Sequence, residues 1–242
     1  MYINDINILL YVLLAFIGGF VGQFVDYLNF VFLSERKIIS KESLHEYKKT
    51  FKLNYGLILT NAFLYAITLY TFGLSLDTVR FCLLIPMLLS AFYVDFKIQI
   101  IPNRLNLTMF EIGLVFAFIF GIQNLNIAKD MLLGMLAGGG IFLLITLIGG
   151  AIAGKEAMGL GDVKLMGALG LYFGMFKITM ISVLSFLIGG IISIIIIIAR
   201  KNREDGYIPF GPFIVLATLA AIFIPSNILY VFLMKVFTLG MF

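Results

Sequence analysis

The chain has 242 residues, 62% of them hydrophobic and only 12% charged, with a formal net charge of +4 and a mean hydropathy of +1.09. A soluble domain carries roughly 25% charged residues, so this chain has too few charges to coat a water-facing surface. A soluble enzyme, a disordered chain and a disulfide-built secreted domain are excluded, and an all-α polytopic membrane protein is expected.

The spans follow in chain order. A crossing helix needs about 20 apolar residues. Such stretches lie at about 8–33, 55–74, 80–94, 105–122 and 131–153, then a short one at 163–175, then 178–199 and 208–224. That makes about eight spans. A last apolar segment at 228–242 reads as a ninth span or an interfacial helix. No Lys or Arg precedes the first run, which outlasts a signal-peptide core, so a cleavable signal is not expected. No internal repeat or linker divides the chain, so 1–242 reads as one membrane-embedded domain.

Lys and Arg set the orientation. One set of connections holds Arg36, Lys37, Lys41, Lys48, Lys49, Lys52, Lys97, Arg104, Lys155, Lys164, Arg200, Lys201 and Arg203, and the alternate set only Arg80, Lys129 and Lys177. The positive-inside rule puts the first set in the cytoplasm and the N-terminus outside. The polar segment 34–54 is a short basic cytoplasmic loop, too small for a domain. It reads as a solvated loop that sets orientation, or as a basic apron that attracts anionic lipid or steers a substrate. His45 stands alone there as an ordinary loop residue.

Cys82 is the only cysteine, so neither an intrachain disulfide nor a cysteine zinc site is available. No basic stripe or module signature supports nucleic-acid binding.

Ionisable groups within spans are costly and mark function. Asp26, Asp95, Glu111 and Asp162 qualify; the other acids fall in connections or at ends. Asp95 and Asp162 both map to the cytoplasmic edge. Two carboxylates sharing a site cannot both ionise cheaply, so such a pair holds one proton between them. The ionised member can deprotonate water and the protonated one can donate to a scissile carbonyl. Which is which is open at this level. Gly159 and Gly161 would let another backbone approach and would permit positive φ. Lys164 would hold a carboxylate ionised or bind a substrate carbonyl. Pro102 delays the following helix, with Asn103 as its expected N-cap.

Plainer readings stand beside these. An aspartate after Gly-Leu-Gly is as well explained as a helix cap. Gly134, Gly138, Gly139 and Gly140 suit helix packing. Lys97, Arg104 and Lys164 suit an inner-face marker. Asp26 and Glu111 suit a polar cluster or buried neutral acids better than catalysis. Two carboxylates without histidine are a thin ligand set, so no metal is expected.

Three stretches together go further: VDFKIQIIPNRL at 94–105, MGLGDVKLMGALG at 158–170 and IPFGPF at 208–213. Their order and spacing resemble the type IV prepilin leader peptidases, membrane aspartic proteases of the GxGD type. The resemblance covers about 80–220. It implies Asp95 and Asp162 as the catalytic pair, supported by Gly159, Gly161, Lys164, Pro102, Asn103, Pro209, Phe210 and Gly211. It also implies the partner: a type IV prepilin or pseudopilin whose basic leader is cut at the cytoplasmic face of the bacterial inner membrane, just before its apolar helix. It sets no oligomeric state. The stretch GGFVGQFVDYLNFVFLSERK at 18–37 resembles the family's first span more loosely, with Asp26 near an expected Asn. The main departure is the first cytoplasmic loop, which lacks the two CxxC pairs of many bacterial members. Those members also N-methylate the new terminus. Proteolysis implies no cofactor, and S-adenosylmethionine enters only where methylation is retained. Rival readings are an intramembrane GxGD protease with other substrates, and a proton or cation transporter. The transporter would want its acids at mid-membrane.

Hydrolysis needs water, which the hydrocarbon core lacks. The connections 95–105 and 154–164 are therefore expected to frame a wet cleft.

Overall fold

The structure, a computed structural model, describes residues 2–4, 6–34, 40–154, 158–199 and 208–238. Arg36, Lys37, Lys155, Arg200, Lys201 and Arg203 of the charge map lie outside the described residues, as does 239–242 of the last apolar segment. The described residues form two compact units, 1–98 and 99–242.

The first unit opens with a two-residue antiparallel pair, β1 (Tyr2–Ile3) and β2 (Ile6–Asn7). It turns through Asn4 at φ 50, a left-handed conformation that Asn tolerates. Asn7 then caps α1 (Ile8–Leu33), accepting from the Leu9 N–H at 3.0 Å. The segment read as a short solvated basic loop contains a helix, α2 (Lys41–Thr50). Ser40 caps that helix, Glu42 sits in its first turn, and Lys48 and Lys49 sit in its last. Each of these complements the helix ends, a signal that hydropathy does not register.

α3 (Tyr55–Phe72) is capped by Asn54 and ends at Gly73, where φ is 63. Gly18 and Gly22 let α1 lie against α3. A Cβ at Gly22 would stand 2.5 Å from the Leu57 carbonyl oxygen. Asn61 Nδ2 donates to the Gly18 carbonyl at 2.7 Å, and Ser90 Oγ donates to Asn29 Oδ1 at 2.7 Å, joining α1 to its two partners.

α4 (Leu76–Ile98) is longer than the expected 80–94. Asp77 bonds Arg80 in its first turn and Lys97 occupies its last, so the polar ends extend the helix. Asp95 thus lies inside the last turn rather than at the helix end. Pro86 interrupts the backbone ladder of α4. It lacks an N–H, so the carbonyl four residues back, that of Cys82, loses its helical donor. The Tyr65 hydroxyl of α3 donates to that carbonyl at 2.5 Å.

The second unit holds α5 (Asn103–Gln123), α6 (Leu125–Ala153), α7 (Leu160–Ala199), α8 (Gly211–Phe223) and α9 (Ser226–Phe237). The two expected spans at 163–175 and 178–199 are the halves of α7, broken at Gly174 (φ 71, ψ 174). Asp130 of α6 faces the break, and its Oδ1 accepts from the Met175 N–H at 3.1 Å. The carboxylate thereby caps the second half-helix. A Cβ at Gly174 would overlap Asp130 Oδ2. Asp130→Ala should therefore lower stability by about 1 kcal/mol. Gly174→Ala, which adds both the overlap and a strained φ, should cost more; thermal unfolding in detergent reads both.

Phe210, just before α8, packs on Phe142 of α6 and Phe186 of α7 with ring centroids 5.9 and 5.0 Å apart. Six helices, α1 and α3 to α7, are long and apolar enough to cross a membrane, with α8 and α9 as shorter apolar helices. Large apolar side chains such as Leu144, Ile148, Ile152, Ile191 and Ile195 stay exposed on them. In water that surface would aggregate, whereas lipid covers it. The fold is an all-α polytopic membrane protein.

Candidate active site

Asp95 belongs to the first unit and Asp162 to the second. Asp95 is 4% exposed, on the face of α4 that also buries Leu88, Ala91 and Val94. Apolar residues at these helical spacings draw that face inward and take Asp95 with them. Asp162 is also 4% exposed. It stands in the first turn of α7, where a carboxylate complements the helix dipole. Its N–H donates to the Gly159 carbonyl at 3.1 Å. Both aspartates are thus buried in terminal turns, Asp95 in the last turn of α4 and Asp162 in the first turn of α7.

The second unit builds a polar frame around Asp162. Gly161 lies against Ile101, and a Cβ there would be 3.6 Å from the Ile101 nitrogen. The backbone that approaches this glycine is therefore the chain's own Ile-Ile-Pro-Asn segment. The positive φ expected at Gly159 and Gly161 is not used: among the described glycines it occurs at Gly73, Gly154 and Gly174. Pro102, not Asn103, is the N-cap of α5, and it makes no side-chain cap bond. The reason is that Asn103 is engaged elsewhere, its Oδ1 accepting from Lys164 Nζ at 2.8 Å. Lys164 therefore reaches the Pro-Asn segment.

Asn106 escaped the sequence reading. It is buried on α5, and its Nδ2 donates to the Gly161 carbonyl at 3.1 Å, next to Asp162. The available signal was a polar residue inside the buried stripe Leu105, Asn106, Met109 and Gly113. A cavity of ≈490 Å³ opens beside this frame. Its polar lining is Asn103, Asn106 and Lys164, and Leu107, Phe110 and Met135 supply apolar walls.

Pro209 and Gly211 flank Phe210, whose ring joins the aromatic cluster on α6 and α7. Glu111 was expected to be buried or clustered, but it is exposed on α5, off the buried face that carries Asn106, Met109 and Gly113.

Asp26 does sit in a polar cluster. The Tyr47 hydroxyl donates to its Oδ2 at 2.9 Å, and Asn54 Nδ2 to its Oδ1 at 2.8 Å. Gln23 Nε2 donates to the Tyr47 oxygen at 2.6 Å. Asp26 thereby ties α1 to α2 and to the start of α3. Burial, and next the bond to Asp26, push the Tyr47 phenol up from 10.0 to about 12. The unfolded phenol ionises first, so this contribution to stability is intact below about pH 10 and disappears as pH rises towards about 12. Alkaline pH, or Tyr47→Phe, should thus expose Lys48, Lys49 and Lys52 to trypsin sooner. Asp26→Asn should do the same while keeping most of any peptidase activity.

Among the described residues, no three His, Cys, Asp or Glu side chains come together as a metal site. The described cavities also lack the donor set of S-adenosylmethionine. The one lined by Asn103, Asn106 and Lys164 offers amides and an ammonium but no carboxylate to take a ribose diol or an amino group. A second cavity has one carboxylate, Asp130, already bonded to the Met175 N–H, with Thr179 and Tyr230 among apolar walls, and a third is walled mostly by apolar side chains.

Buried aspartates on the apolar helices of a multi-pass membrane protein define the class. Residues 82–194, which contain both aspartates, match the model of the type IV leader peptidase family. Over this segment, a little under half of the chain, the sequence is similar to that family. Similar curated proteins include the prepilin leader peptidase/N-methyltransferases of three bacteria. That of Aeromonas hydrophila is 31% identical over 58% of this chain and 47% of its own length. That of Legionella pneumophila is 31% identical over 65% and 54%, and that of Escherichia coli K12 is 32% identical over 52% and 54%. The chain thus spans about half the length of the curated relatives it matches. No solved structure matches it.

Proposed function

We propose that the chain is a membrane aspartic endopeptidase that removes the basic leader of type IV prepilins or pseudopilins, with Asp95 and Asp162 as its catalytic pair. The observation that carries the reading is the burial of both aspartates to 4% exposure inside the segment that matches the leader peptidase family. Buried acids on membrane helices are expensive to keep without a use.

In this mechanism the ionised aspartate takes a proton from a water molecule, whose oxygen attacks the scissile carbonyl carbon. The protonated aspartate donates to the carbonyl oxygen. Collapse of the tetrahedral intermediate breaks the C–N bond, and the leaving amine recovers a proton from the first carboxylate. The apolar helix of the precursor stays in the bilayer, its leader in the cytoplasm. The excess of Lys and Arg on one set of connections supports that side.

Proteolysis on this scheme uses no cofactor. Methylation of the new terminus would require S-adenosylmethionine. The test is incubation of the purified protein with a pilin precursor, with and without S-adenosylmethionine, followed by mass spectrometry of the products. Cleavage before the apolar helix is expected. An intact precursor would overturn the reading, and a methyl increment would add the second activity.

A further inference from the structure

The cavity lined by Asn103, Asn106 and Lys164 borders a buried acceptor that the protein's described residues leave open. Asn106 lines it and is 3% exposed. Its Nδ2 is engaged by the Gly161 carbonyl, which fixes the amide's orientation because a carbonyl needs a donor opposite it. The Oδ1 is then buried with no hydrogen-bond partner among the described residues. A buried acceptor that the protein itself leaves open is completed by water or by a donor that binds.

The cavity's chemistry narrows that donor. Its other polar groups are the Lys164 ammonium and the Asn103 amide, and its remaining walls are apolar or small. A basic leader is repelled by Lys164. A peptide backbone offers what the lining lacks: each residue brings one N–H for an acceptor and one carbonyl for an ammonium. Apolar side chains on the same segment meet Leu107, Phe110 and Met135.

We propose that Asn106 positions the substrate: its Oδ1 accepts a backbone N–H from the precursor segment at the scissile bond, while its Nδ2 holds the Gly161 carbonyl next to Asp162. This rests on the peptidase reading above. The site takes a peptide strand of apolar sequence, not the charged leader.

The test is a backbone-ester scan. Synthetic precursors, each with one amide N–H near the scissile bond replaced by an ester oxygen, are cleaved by the full-length wild-type protein and by Asn106→Leu. One ester position should lower wild-type kcat/KM roughly tenfold, the size of one lost hydrogen bond, mainly through KM, and leave Asn106→Leu almost unaffected. A role limited to folding would give equal losses in both proteins at every position, and that result overturns the proposal. Asn106→Ala serves in the same cycle if the leucine variant does not fold. Asp162→Asn runs alongside. If wild type cleaves and Asp162→Asn does not, the peptidase reading stands and a flat scan removes only the Asn106 role. A wild-type protein that leaves the precursor intact removes both.

Discussion

Asp95→Asn and Asp162→Asn should each lower leader cleavage by at least about a thousandfold while the protein still inserts and purifies as a folded species. General acid–base groups contribute roughly 10²–10⁴-fold each, and in the proposed mechanism the pair holds one proton between its members, so losing either would disable both roles. The substitution is nearly isosteric, and an amide suits a 4%-exposed site better than a charge. Stability should hold or rise, which separates a chemical loss from a folding loss. Thermal unfolding beside a cleavage assay reads the two. A variant that lacks either carboxylate yet cleaves at the wild-type rate would end the dyad mechanism.

The second large effect concerns the seam between α6 and α7. A Cβ at Gly170 would overlap the Gly134 carbonyl, and one at Gly134 would overlap the Gly170 carbonyl. A Cβ at Gly138 would overlap the Met166 carbonyl. These are backbone contacts, so no side chain can swing aside. Gly170→Ala should cost about 3 kcal/mol, at the upper end for overpacking, and lower the thermal midpoint in detergent. Gly140→Ala is the control. Its Cβ meets nothing within 4 Å, and alanine favours a helix over glycine, so stability should be unchanged or better. Equal losses at both positions would show that the seam is not closed by backbone contact.

What was readable beforehand sorts by physical cause. The long apolar runs were visible because transfer to lipid is a sum over residues, and the two aspartates stood out because a carboxylate in such a run is costly. The Gly134 and Gly138 packing positions were also visible. The helix at 41–50 was not, since it rests on the Ser40 cap and on charges at its ends rather than on hydropathy. The separation of the spans at 163–175 and 178–199 was also visible, but not the way the break at Gly174 is held by Asp130 from another helix. Asn103 was misplaced as a cap because its partner, Lys164, is sixty-one residues away along the chain. Asn106 was missed for a similar reason: its meaning lies in a carbonyl fifty-five residues further on. Tertiary hydrogen bonds of this kind leave no local signature.

The proline of α4 carries one more implication. One ladder bond is missing within that helix, and the deficit is made good from outside by a phenol on α3. Tyr65 thus supplies, from a neighbouring helix, a backbone bond that the helix carrying Asp95 cannot make for itself.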